Sequence, residues 1–229
     1  MKNIKILGIV TTIFLVLLIS LFGILAAFGF FGSKRPESEK PAIEKDFETK
    51  KSEYLISENG TKAVIKTDLG EMEISVPESS AGKKFLELAK SGAFDGTEFK
   101  TLAENMFIQV SVPAENFSAE KTEFACLYGT LAFVLEEDFV SPSFFIVMNK
   151  SLSGFSKAYI SEKTFPEEKS ALYEEFGGIP EYEEKTIVFG KIISGFDTAE
   201  KIASAKKSGY TGGYSALSPV KIISVEISD

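Results

Sequence analysis

The 229 residues hold no histidine and one cysteine, Cys126, which removes histidine triads, histidine or cysteine-pair metal sites and any internal disulfide. Chemistry therefore falls to carboxylates, amides, hydroxyls, lysines, aromatic rings or the backbone. Spacing alone picks out an acidic run, Glu181-Tyr182-Glu183-Glu184, whose carboxylates are the hard oxygen ligands that Ca²⁺ takes. The run lacks the alternating ligand pattern of a dedicated calcium loop and reads more simply as a solvated turn. Cys126, within Phe124-Ala125-Cys126-Leu127, reads as a small apolar side chain buried in a strand. A net charge of −8 argues against a nucleic-acid partner, because phosphate binding needs a basic face.

The elements that must position such residues fall into three parts. Residues 6–31 carry no charged side chain over about 26 positions, more than the roughly 20 that a helix needs to cross hydrocarbon, so residues 1–31 read as a transmembrane anchor. The run is long for a cleaved signal peptide, and its short basic start, with Lys2 and Lys5, places the bulk of the chain outside the cell membrane. Residues 32–58 are rich in Lys, Glu, Ser and Pro and read as a charged, solvated tether. Removing Lys2 and Lys5 from the 25 basic residues leaves 23 against 33 acidic, so everything beyond the anchor carries −10.

Residues 59–229 read as one mainly β domain. Alternating residues on both sides of Asp68-Leu69-Gly70 predict a hairpin over 62–76. Ser79 and Ser80 offer a cap for a helix over 81–90, with Phe85, Leu88 and Ala89 on one face and Gly92 to stop it. Two short β pieces follow in 98–112. Residues 130–135 and 143–148 are almost continuously apolar, as strands covered on both faces are. Strands over 186–193 and 220–227 and a second helix over 197–205 complete a closed antiparallel barrel capped by two short helices.

The order of the hairpin, Glu87-Leu88-Ala89-Lys90-Ser91-Gly92, Asp95-Gly96-Thr97-x-Phe99, Phe107-Ile108-Gln109, Gly129-Thr130-Leu131-Ala132, Ser143-Phe144-Phe145-Ile146 and Val188-Phe189-Gly190-Lys191 resembles the cyclophilin-type peptidyl-prolyl cis-trans isomerases. The stretch Tyr173 to Pro180 is similar to an insertion of bacterial members. The resemblance implies a cyclophilin-like barrel and rotation about X-Pro bonds, a reaction that breaks no covalent bond and needs no cofactor or metal. Its barrier of about 18–20 kcal/mol falls when a placed donor weakens amide resonance. The partner it implies is a proline-containing polypeptide. Oligomeric state is left open.

Carried over residue by residue, the resemblance gives a catalytic set of Gln109, Phe145 and Thr101, and a substrate-binding set of Met106, Phe107, Val134 and Tyr182. It also marks departures. Thr101 stands where the family has its catalytic Arg, Glu181 where it has Trp, and Thr186 where it has His. Lys100, the neighbouring cation, is expected to face away from Thr101, since adjacent residues of a strand point to opposite sides. Judged as residues alone, Gln109 fits a solvated strand side chain as well as a site, and Met106 and Phe145 fit a core as well as a pocket. The expected function is a membrane-tethered isomerase acting on exported or cell-surface proteins, weakened by Thr101. The alternative is a non-catalytic proline-peptide-binding, chaperone or scaffold module at the membrane.

Overall fold

The computed structural model describes residues 42–103, 105–137, 139–208 and 215–228. The apolar run over 6–31 lies outside the described residues, and no helix among those described is long and apolar enough to cross a membrane.

Strands β1 (Thr61–Thr67) and β2 (Gly70–Val76) form the expected hairpin, with Thr67 paired to Gly70 across the turn. Their alternation sends Ala63, Ile65, Met72 and Ile74 inward. Helix α2 (Ser80–Lys90) begins where the Ser79 hydroxyl accepts the Gly82 N–H at 3.0 Å, and it buries Phe85, Leu88 and Ala89. An earlier helix, α1 (Ala42–Glu53), precedes the hairpin.

Strands β3 (Glu98–Ala103), β4 (Phe107–Val110), β5 (Thr130–Leu135), β6 (Val140–Val147), β7 (Thr186–Ser194), β8 (Lys207–Ser208) and β9 (Ser215–Ser228) complete one nine-stranded antiparallel sheet in the order β1-β2-β7-β5-β6-β4-β3-β9-β8. Pairing of β1 with β9 closes the first eight into a barrel, and β8 hangs on the edge of β9. Helix α2 and helix α5 (Phe196–Ala203) are the two helices expected from their apolar faces. Phe85, Phe94, Phe133, Phe144 and Phe189 fill the barrel, with Phe189 4.1 Å from Phe133 and 4.8 Å from Phe85 between ring centroids.

The structure differs from expectation at four places. The segment expected to be a solvated tether carries α1, and beyond it Ile56 is buried against the domain while the Tyr54 carbonyl accepts the Ala125 N–H at 2.9 Å. Helices α3 (Gly154–Lys163) and α4 (Glu167–Phe176) were not expected, because α3 buries only Ser156 and α4 only Lys169, Leu172 and Tyr173, leaving no apolar stripe to recognise. Cys126 is buried as expected, but in a loop, where its N–H donates to the Tyr173 hydroxyl at 2.9 Å. The acidic run is a 3₁₀ turn (Pro180–Lys185), and Glu183 within it is not solvated.

Candidate functional site

Alternation along β4, β5 and β6 divides neighbouring residues between two surfaces. Ile108, Leu131, Phe133, Phe144 and Ile146 join the barrel interior, whereas Phe107, Ala132, Val134, Phe145 and Val147 form a second apolar cluster on the outer wall. On that wall Thr101, Gln109, Phe145, Ala132 and Val188 lie side by side across β3, β4, β6, β5 and β7. Directly opposed residues of such a ladder have Cβ atoms about 4.5–5.5 Å apart. The catalytic set expected from sequence is therefore one lateral row of the sheet.

The binding set gathers around the middle of this row. Phe107 stands 5.0 Å from Phe145 and 5.7 Å from Tyr182 between ring centroids, and Tyr182 stands 6.1 Å from Phe145. Met106 and Val134 pack on the same cluster, and both remain partly exposed. Phe145 is the floor, only 2% exposed, while Phe107 and Tyr182 are half-buried walls. Gln109 and Thr101 are also half-buried, and their side chains make no hydrogen bond with a described residue. Their donors and acceptors are thus open to a ligand backbone.

The strand β3 does not alternate where it matters. Phe99 pairs with Val110 and Thr101 with Gln109, so two steps on β3 answer one on β4, and a bulge results. Phe99 and Leu102 are both buried, and the two residues between them, Lys100 and Thr101, both turn away from the core. The expectation that Lys100 faces opposite to Thr101 fails for this reason. Lys100 lies in solvent, 3.5 Å from the Glu98 carboxylate.

The 3₁₀ turn that carries Tyr182 is pinned at Glu183 by groups that sequence reasoning did not find. Lys169 and Tyr173 of α4 both bond the Glu183 carboxylate, and the Lys169–Glu183 pair is 7% and 13% exposed at its side chains. Burial, followed by the charge of Glu183, pushes the Tyr173 hydroxyl well above its usual pKa. Two glycines in left-handed backbone, Gly177 and Gly178 with φ of +72° and +127°, let this segment run close against its neighbours. A Cβ on Gly178 would sit 2.4 Å from the Cys126 carbonyl oxygen. No periodicity marks Lys169, Tyr173 or Gly178; the contacts that give them meaning are all long-range.

Beyond Met106 and Tyr182 the groove opens into a cavity of about 1170 Å³, lined also by Glu181, Asn149, Lys150 and Ala203. Gln109, Phe145 and Val134 lie outside it. The wall as a whole offers an apolar floor, an uncommitted amide and an uncommitted hydroxyl beside a wide recess of mixed polar and apolar lining. It suits a short extended peptide carrying a compact apolar ring.

A closed antiparallel barrel with such an outer groove is the cyclophilin architecture. Residues 62–227 match the family model described as cyclophilin type peptidyl-prolyl cis-trans isomerase/CLD, and the chain belongs to that family. Two crystal structures of a Cryptosporidium parvum cyclophilin type peptidyl-prolyl cis-trans isomerase share the fold at 17% identity. One has a TM-score of 0.55 and covers 74% of this chain and 98% of that one. The other, determined in the presence of the dipeptide Ala-Pro, has a TM-score of 0.54 and covers 73% and 99%. Among sequence relatives, a Staphylococcus epidermidis protein named "Putative peptidyl-prolyl cis-trans isomerase" is 29% identical over 167 residues, 66% of this chain and 85% of that protein. Its namesake in Staphylococcus saprophyticus is 28% identical over the same length and shares.

Proposed function

We propose that this chain is a membrane-tethered peptidyl-prolyl isomerase that works slowly on X-Pro bonds of exported or cell-surface polypeptides. The observation that carries the reading is the lateral row Thr101, Gln109 and Phe145, with Met106, Phe107, Val134 and Tyr182 gathered around it. In this reading the proline ring lies on Phe145 between Phe107 and Tyr182, where it gives up apolar surface to rigid aromatic walls. The Gln109 amide holds the peptide backbone on either side of the bond. The Thr101 hydroxyl is the donor at the position of the family's Arg, and being neutral it stabilises a twisted amide less than a charged donor in the same place. Loss of a pre-aimed donor costs about 10² to 10³ in rate, which is why turnover is slow.

The tether rests on the uncharged run over 6–31, which is long enough to span a bilayer once as an uncleaved anchor with the domain outside the cell. Alternatively the domain is a proline-peptide-binding, chaperone or scaffold module without turnover. What favours this second reading is that no cation lies in the row itself and that Phe145 is nearly covered by its own neighbours.

The full chain in detergent micelles, assayed on a short X-Pro peptide, decides between them. Isomerisation faster than the uncatalysed rate at micromolar protein is the expected result. An unchanged rate combined with peptide-induced shifts of the Gln109 and Phe145 amide resonances selects the binding module. Silence in both measurements sinks both.

A further inference from the structure

Glu181 lines the cavity beside Met106 and Tyr182, and it stands where the family resemblance places an apolar Trp. One of its carboxylate oxygens, Oε1, accepts the Ser156 hydroxyl at 3.3 Å. The other, Oε2, is buried and has no hydrogen-bond partner among the described residues. A buried acceptor without a donor loses its water and gains nothing in return, a cost larger for a charged group than a neutral one. The second carboxylate on the wall, Glu200, is in a different condition: it accepts from Tyr128 at 2.9 Å and pairs with Lys150. Lys207 lines the recess as well, and no described cation lies within salt-bridge distance of Glu181. One carboxylate of the recess is therefore neutralised and the other has no cationic partner among the described residues.

Resting on the proposed placement of proline against Phe107, Phe145 and Tyr182, we propose that the recess receives the residues flanking the proline and that Glu181 selects a cationic side chain, Lys or Arg, among them. The wall fixes the direction. Met106 and Tyr182 belong both to the apolar cluster and to the cavity lining, so a peptide seated on Phe145 continues into the recess without leaving the surface. A lysine ammonium carries three donors on a flexible stem, and a guanidinium five, so either can pair with the Glu181 carboxylate where that side chain lines the recess. The charge of −10 beyond the anchor adds attraction for basic peptides and repulsion for acidic ones. Glu181 in this account determines specificity; it takes no part in bond rotation.

The test uses the full chain in micelles and a set of Ala-Pro peptides in which Lys, or its uncharged length-match norleucine, occupies each of the two positions before and after proline. At one position Lys should bind about tenfold tighter than norleucine, the size of one charge-assisted hydrogen bond. Glu181→Gln should erase that difference while leaving norleucine affinity in place, and Glu181→Lys should turn the preference toward Glu-containing peptides. Equal affinity for Lys and norleucine at all positions, with both bound, overturns the selection by Glu181 and leaves the proline reading standing. Failure of every peptide to bind overturns both. If Glu181→Gln does not fold by circular dichroism, the wild-type comparison still decides, because the overall charge favours Lys alike at every position whereas Glu181 favours it at one.

Discussion

Phe144 and Phe145 are neighbours in sequence, in one strand, with the same side chain, and they belong to two different regions of the molecule. Phe144 points into the barrel, edge-on to Phe94 at 5.6 Å and to Phe189 at 5.8 Å. Phe145 points out, beneath Phe107 and Tyr182. The interior is closed on all sides by strands and by α2, whereas the outer cluster is bounded by half-buried side chains and borders a recess. Aromatic rings are the cheapest way to fill either region, so residue type does not distinguish a core from a ligand floor. What distinguishes them is whether the surrounding groups are complete without a guest.

Truncating one ring from each region separates them most sharply. Phe189→Ala removes the ring that joins Phe85, Phe133 and Phe144 in the sealed interior, and it should cost about 3–5 kcal/mol of stability. The folded fraction should still bind proline peptides. Phe145→Ala should cost less stability, since its neighbours on the open wall can settle into the space, and should abolish peptide-induced shifts at Gln109. Denaturant midpoints and peptide titrations measure both. Equal stability losses with peptide binding intact in Phe145→Ala would make the outer cluster a second core.

The next effect in size concerns rate. Thr101→Arg returns a planar cationic donor to the row beside Gln109, and isomerisation should rise by up to about 10²-fold. An unaltered rate would mean that Phe107 and Tyr182 keep Phe145 covered when substrate arrives.

The barrel was legible because two periodicities survive in the sequence, the alternation of the 62–76 hairpin and the apolar face of α2, and because long apolar runs mark β5 and β6. The row Thr101, Gln109 and Phe145 was reachable only through resemblance, since its members come from three strands and carry no shared spacing. Lys100 was misplaced because a bulge depends on the partner strand: nothing in Phe99-Lys100-Thr101-Leu102 records that β4 supplies one residue fewer. Glu183, Lys169 and Tyr173 were misread or missed for a related reason. A charge on an acidic run is normally solvated, and only the fold of α4 over the turn turns Glu183 into the acceptor of a buried pair.

That buried support gives a pH-dependent test. Tyr173 has its pKa raised in the folded chain above the ordinary value of 10.0, by burial and by Glu183. Below about pH 10 both folded and unfolded chains hold the proton and the contribution of Tyr173 is complete; above it the unfolded chain ionises first, so stability falls as pH rises. Tyr173→Phe should be about 1–3 kcal/mol less stable near pH 8, because Glu183 and the Cys126 N–H each lose a partner, and its stability should fall less steeply above pH 10. Urea unfolding followed by far-ultraviolet circular dichroism across that range measures both slopes. Parallel slopes would show that Tyr173 does not hold its proton through the transition.

The smallest effect tests the bulge. Lys100 and Thr101 leave the core on the same side, so the Lys100 ammonium adds a positive potential at the row without touching it. A unit charge acting through water over roughly 8 Å is worth about 0.5 kcal/mol, or about twofold in rate, in favour of negative charge on the prolyl carbonyl. Lys100→Met should therefore lower residual isomerisation by about twofold at low salt and by nothing measurable at molar salt, where the screening length shrinks to about 3 Å. Its stability should change by less than about 1 kcal/mol, since Lys100 is exposed and its Glu98 partner only half-buried. A rate loss that persists at high salt would place the ammonium in direct contact with substrate, whereas no loss at low salt would mean that Glu98 already cancels its charge.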